Sequence, residues 1–123
     1  MHLEKIFKTI LDCSFTIHTA LGPGLLESAY EHCLYFELMQ TGLSVERQKP
    51  LPLVYKDVRL EAGYRIDLFV EKSIIVELKS VDSLCDIHMA QILTYLKLSG
   101  CKLGLLANFN VSHFKDGFRR VIN

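Results

Sequence analysis

The sequence predicts an α/β fold, a mixed central sheet flanked by helices within a single domain spanning residues 1–123. Three observations carry that expectation. Apolar residues recur at three- and four-residue steps near the N-terminus and again over residues 84–98, which is helical spacing. Between them, residues 44–80 alternate apolar with polar side chains and are rich in β-branched and aromatic types, which is strand spacing. The resulting order, ααβββαβ(β), holds no repeat or low-complexity linker, and 123 residues with a hydrophobic fraction of 50% are ample for one continuous core.

Leu3, Ile6, Phe7, Ile10, Cys13, Ile17 and Leu21 form the stripe of an amphipathic first helix. Gly22-Pro23-Gly24 ends it, because proline lacks the amide that a helix needs and glycine accepts turn geometry. A second helix is expected over residues 25–39, with Leu26, Ala29, Cys33 and Phe36 on its apolar face and Thr41-Gly42 as its C-cap. Tyr55-Lys56-Asp57-Val58 reads as a hairpin turn between two strands. Over residues 63–70, Tyr64, Ile66, Leu68 and Val70 share one strand face, and Arg65, Asp67 and Phe69 share the other. Glu71-Lys72-Ser73 then leads into a strand over residues 74–80. Gly100 closes the third helix, residues 102–108 read as a buried strand, and Phe118 to Ile122 as a short last one.

Fourteen Lys plus Arg balance fourteen Asp plus Glu, so no whole-molecule field draws a polyanion and any nucleic-acid site must be local. Its cations would come from Arg47, Lys49, Arg65, Lys97, Lys102, Arg119 and Arg120, if folding gathers some of them on one side or a homodimer joins two modest patches. The charged N-terminus lacks the apolar run and cleavage site of a signal peptide, and no stretch approaches the roughly 18 to 20 apolar residues that span a bilayer. A cytoplasmic protein with no membrane role is expected. Cys13, Cys33, Cys85 and Cys101 are scattered without a Cys-x-x-Cys pair, which favours buried free thiols over a zinc site. His18 and His32 read as surface or satisfied histidines within helices.

If the turn at residues 71–73 centres on Lys72, Val70 pairs with Ile74, Asp67 faces Glu77 and Arg65 faces Lys79, on the side away from Ile66, Leu68, Val76 and Leu78. Opposed Cβ atoms lie about 4.5 to 5.5 Å apart, and two carboxylates so placed destabilise a sheet unless a cation or proton lies between them. Mg²⁺ or Mn²⁺ suits such an open oxygen site, which leaves coordination positions for water and phosphate. Lys79, two residues after Glu77, projects to the same side, where it can orient a water or neutralise charge growing on a phosphoryl group. The alternative is a solvated strand face of mixed charge.

Asp67 followed after nine positions by Glu77-Leu78-Lys79 resembles the D…(D/E)xK signature of the PD-(D/E)xK phosphodiesterase superfamily. Gly24-Leu25-Leu26-Glu27-Ser28-Ala29-Tyr30 resembles the motif that names its GxxExxY family, and Gln91-Ile92-Leu93-Thr94-Tyr95 is similar to the QxxxY helix motif of the exonuclease branch. The matched elements run in order from about residue 22 to the C-terminus. The resemblance implies a restriction-endonuclease-like core, with Asp67 and Glu77 as metal ligands, the Leu78 carbonyl completing the site and Lys79 catalytic. Glu27 would be a helix-borne acid at the metal; otherwise it stabilises the helix dipole. Tyr30 packs in the core or contacts the site. His88, Gln91 and Tyr95 share one helix face, where Gln91 would bond a metal ligand or phosphate and Tyr95 would brace Lys79 or a phosphate oxygen; the alternative is a solvent-facing stripe.

Three functions follow. The first is a Mg²⁺- or Mn²⁺-dependent nuclease, with DNA ahead of RNA as substrate. The second is a catalytically silent nuclease-fold subunit of a nucleic-acid-processing assembly, consistent with the neutral net charge. The third is an interaction protein without a nucleic-acid role, which the acid-acid-lysine set argues against.

Overall fold

The computed structural model describes residues 2–61 and 63–123. Its elements are α1 (Leu3–Leu21), α2 (Glu27–Gln40), β1 (Val45–Pro50), β2 (Leu53–Tyr55), β3 (Val58–Leu60), β4 (Arg65–Val70), β5 (Ile74–Lys79), α3 (Asp86–Ser99), β6 (Leu103–Asn108), a 3-10 turn (Phe114–Asp116) and β7 (Phe118–Ile122). Five described strands lie between α2 and α3 where the sequence pattern suggested three. Pro50 and Pro52 bring no N–H donors to a ladder, so the segment breaks there, and β2 with β3 forms a separate two-stranded sheet around the expected Tyr55–Val58 turn.

The main sheet has the order β1-β4-β5-β6-β7. Its one parallel pair, β5 with β6, is joined through α3, and the other pairs are antiparallel. This is the α/β, restriction-endonuclease-like architecture that the sequence predicted. Helices cover both faces of the centre, which explains why β6 is buried along its whole length and reads as a continuous apolar run. On one face α1 and α2 place Ile6, Phe7, Ile10, Tyr30 and Leu34 against Leu68, Val76 and Leu78; on the other α3 places Ile92 and Leu96 against Ile75 and Leu106. Each side chain so buried contributes about 1.5 to 3 kcal/mol relative to exposure.

Two sequence expectations are corrected here. The face of α2 expected to be apolar is rotated: Leu26 and Phe36 are exposed, Ala29 and Cys33 are half-buried, and the buried row is Tyr30, Leu34 and Leu38 together with Glu31. A charged residue within that row masked it. Ile66 joins the α3 layer, not the layer of Leu68, because β4 parts from β5 at Asp67 while staying paired with β1 as far as Arg65. Gly100 does close α3: its φ of 77° is the left-handed conformation that favours glycine, and its N–H donates to Leu96 O at 2.9 Å.

Candidate active site

The β4–β5 hairpin pairs in the expected register, Val70 with Ile74, Phe69 with Ile75 and Leu68 with Val76, and the ladder stops there. Beyond it each strand offers an N–H to a carboxylate of the other. The Asp67 N–H donates to Glu77 Oε2 at 2.8 Å, and the Leu78 N–H donates to Asp67 Oδ2 at 2.9 Å. Side-chain oxygens thus replace the carbonyl acceptors of a sheet, and the strands part around two acids. Meanwhile β5 stays in register with β6 as far as Lys79 opposite Asn108, which fixes the backbone that carries Glu77, Leu78 and Lys79.

Burial dominates the electrostatics. Glu77 is 3% exposed, and its carboxyl is pushed up to about 8, by desolvation first and then by the charge of Asp67. Asp67 is pushed up to about 6, again by desolvation, with the Leu78 N–H acting in the opposite sense. The positive charge of Lys79 lowers both, so its ammonium belongs to the same cluster. Among the described residues neither acid forms an ion pair.

A second tier of groups holds Asp67. Gln48 Nε2 donates to Asp67 Oδ1 at 3.3 Å and to Glu31 Oε1 at 2.7 Å, and Arg47 Nη1 pairs with Glu31 Oε2 at 3.0 Å. Gln48 takes a φ of 55° inside β1, a left-handed conformation that costs a side-chain-bearing residue about 1 to 2 kcal/mol, so local strain is stored where its amide reaches two acids. Sequence reasoning did not select Glu31 or Gln48. The available signal for Glu31 was its place one helical turn after Glu27; nothing in the sequence marks Gln48.

Two cavities meet this cluster. One, of about 330 Å³, is walled by Glu27, Glu31, Gln48, Asp67 and Leu78. The other, of about 470 Å³, is reached by Lys79, Gln91 and Tyr95. Lys79 Nζ donates to Gln91 Oε1 at 3.4 Å, and Gln91 Nε2 donates to the Tyr95 hydroxyl at 3.2 Å, so these three form a chain leading away from the acids. Burial and then the Glu77 and Asp67 charges push the Tyr95 hydroxyl up to about 12, which keeps it protonated. Tyr95 is buried, not part of a solvent-facing stripe.

Glu27 is exposed at the rim of the smaller cavity, where its Oε2 accepts the Ser80 N–H at 3.3 Å. Tyr30 lies in the core: its ring stacks on Phe109 with centroids 4.7 Å apart, and its hydroxyl donates to Gly22 O at 2.5 Å and accepts the Leu25 N–H at 3.2 Å. Its hydroxyl therefore clamps the loop before α2 and does not point to solvent. His88 lines the larger cavity, but its Nδ1 accepts the Cys85 N–H at 3.1 Å and caps α3. Five of the seven candidate cations divide between the two sides of the sheet. Arg47, Lys49 and Arg65 lie toward the β1 edge of the sheet, Arg119 and Arg120 on the opposite edge strand, and Arg47, Lys49 and Arg120 pair with Glu31, Glu46 and Glu4.

Among the described residues no three His, Cys, Asp or Glu side chains converge to hold an ion unaided. The donors present still fit a hard divalent cation of the Mg²⁺ kind: two carboxylates, both desolvated and short of positive charge, with water as the usual remaining ligand. No helix among the described residues is long and apolar enough to cross a membrane.

A mixed sheet carries an acid at the parting of a hairpin, a second acid on the next strand and a lysine two residues on, the arrangement that the D…(D/E)xK resemblance implies for a nuclease-type fold. The family model of the PD-(D/E)XK nuclease superfamily matches residues 4–121, and the chain belongs to that superfamily. No curated protein and no solved structure matches it.

Proposed function

We propose that the protein is a metal-dependent nuclease of the GxxExxY group, hydrolysing phosphodiester bonds with DNA ahead of RNA as substrate. The crossed hydrogen bonds at Asp67, Glu77 and Leu78 carry this reading, because they seat two desolvated carboxylates beside a lysine on a rigid central strand. Sheet stability alone gives no reason to bury such a pair, since like charges directly opposed are destabilising. Asp67, Glu77 and the Leu78 carbonyl would hold Mg²⁺ or Mn²⁺, with Glu27 at the rim within reach through water. That cation, when bound, supplies Lewis-acid polarisation of a phosphate oxygen.

The chain's own groups do the rest. Lys79 places a positive charge where negative charge grows on the phosphoryl oxygens, and Gln91 fixes its ammonium through a hydrogen bond that Tyr95 in turn braces. Gln48 and Glu31 orient Asp67. The GxxExxY residues attach α2 to the site: Gly24 N–H donates to Asn110 Oδ1, Tyr30 clamps Gly22 and Leu25, and Glu27 receives the Ser80 N–H just past Lys79.

The test titrates Mg²⁺ and Mn²⁺ into wild type and Asp67→Ala by calorimetry, then incubates both with labelled single- and double-stranded DNA and RNA. Metal binding and cleavage that vanish together in a variant of unchanged circular dichroism are expected. Wild type that binds no metal would overturn the site. Binding without cleavage of any of the four substrates would favour the catalytically silent subunit.

A further inference from the structure

The larger cavity offers something that metal-assisted hydrolysis does not use. It opens beside Lys79 at about 470 Å³, within the range of small-ligand pockets, yet Lys79 is the one formally charged side chain on its wall among the described residues. Much of that wall is aromatic or aliphatic: Tyr64 and Tyr95 meet edge to face with centroids 6.2 Å apart, and Leu53 of the β2–β3 hairpin stands with them. Tyr64 keeps 43% of its surface exposed, so a ring face remains free to stack. Gln91 and Thr94 add hydrogen-bonding groups of both kinds. A phosphate would find one cation here, whereas a flat, uncharged, hydrogen-bonding ring finds the whole lining complementary.

We infer that this cavity is a nucleobase pocket: it takes one unstacked base of a single-stranded or frayed nucleic acid, stacked on Tyr64, while the adjoining phosphate lies at Lys79. The inference rests on the nuclease reading and deepens it, because a base inside a duplex is stacked on both faces and cannot enter without leaving the helix. The substrate class is then an unpaired strand or end. Recognition by stacking also removes the need for a broad basic surface, which this sheet, with its basic residues divided between two edges, does not provide.

The experiment measures, by fluorescence anisotropy in Mg²⁺, binding of a phosphorothioate-linked single strand of about 12 nucleotides and of the same strand without bases. Wild type should prefer the intact strand by about tenfold or more, the contribution of one stacked base. Tyr64→Ala, and Ala90→Leu which fills the exposed mouth of the cavity, should each erase that preference and leave binding of the baseless strand unchanged, whereas Tyr64→Phe should retain it. A preference that survives in both Tyr64→Ala and Ala90→Leu overturns the pocket. Equal binding of the two strands by wild type overturns the pocket and spares the nuclease reading, while wild type that binds neither strand overturns both.

Discussion

Replacing Glu77 with Gln should make the metal-free protein more stable while removing its affinity for the cation. The Glu77 carboxyl is held up at about 8, from an ordinary 4.5, chiefly because burial strips its water. For an acid raised in the folded state, the stabilising proton is fully bound below the unfolded value and is lost as pH rises through the folded one. Wild type in chelator should therefore lose stability between about pH 4.5 and pH 8, at up to about 1.4 kcal/mol per pH unit. Over the span between those two values the loss sums to about 5 kcal/mol. A Gln side-chain carbonyl can still accept the Asp67 N–H and carries no charge to desolvate.

At roughly 4 °C per kcal/mol for a chain of this size, Glu77→Gln should melt about 20 °C above wild type near pH 9 in chelator and level with it near pH 4. The window between pH 6 and 8 is the most informative. Asp67, raised to about 6, gives both proteins a slope below that point, so only wild type should keep losing stability above it. Adding Mn²⁺ at pH 8 should raise the wild-type melting temperature and leave the variant where it was. Calorimetric melts at four pH values, with and without metal, make the comparison. A variant that melts below wild type at pH 8, with parallel pH profiles, would refute the reasoning, since Glu77 would then be a structural acceptor and not a strained charge.

Further outcomes follow from the contacts around the acids. Gln48→Ala removes the amide that joins Glu31 to Asp67 and should weaken Mn²⁺ binding about 10- to 100-fold by calorimetry, with little change in circular dichroism. Lys79→Met should abolish cleavage in a gel assay while metal binding persists, because the ammonium is proposed to act on the phosphoryl group and not on the ion. Tyr30→Phe deletes both hydrogen bonds of the buried hydroxyl and should cost about 1 to 3 kcal/mol in urea unfolding. Gly117→Ala should cost at least as much, since a Cβ there would collide with the Asn108 carbonyl oxygen and come within 2.8 Å of Val111 Cγ2, and neither atom is the free end of a flexible chain.

How far the sequence could be read follows the range of the forces involved. The β4–β5 register was legible because a three-residue turn and a period of two leave one arrangement, and that register places Asp67 beside Glu77. Gly100 was legible because its conformation suits few other residues. The buried face of α2 was not, because Glu31 sits in the row with Tyr30, Leu34 and Leu38, and a charge in an apolar row reads as its edge unless the distant partners Arg47 and Gln48 are known. Ile66 was misplaced for a related reason: period-two alternation assumes unbroken ladders on both sides of a strand, and the β4–β5 ladder ends where Asp67 and Glu77 substitute for backbone acceptors. Both failures lie within the same cluster. Local rules describe a chain that satisfies its own backbone and hides its apolar faces, so the places where α2 and β4 depart from those rules pack against the groups that local rules do not account for, the left-handed backbone of Gln48 on β1 and two desolvated acids.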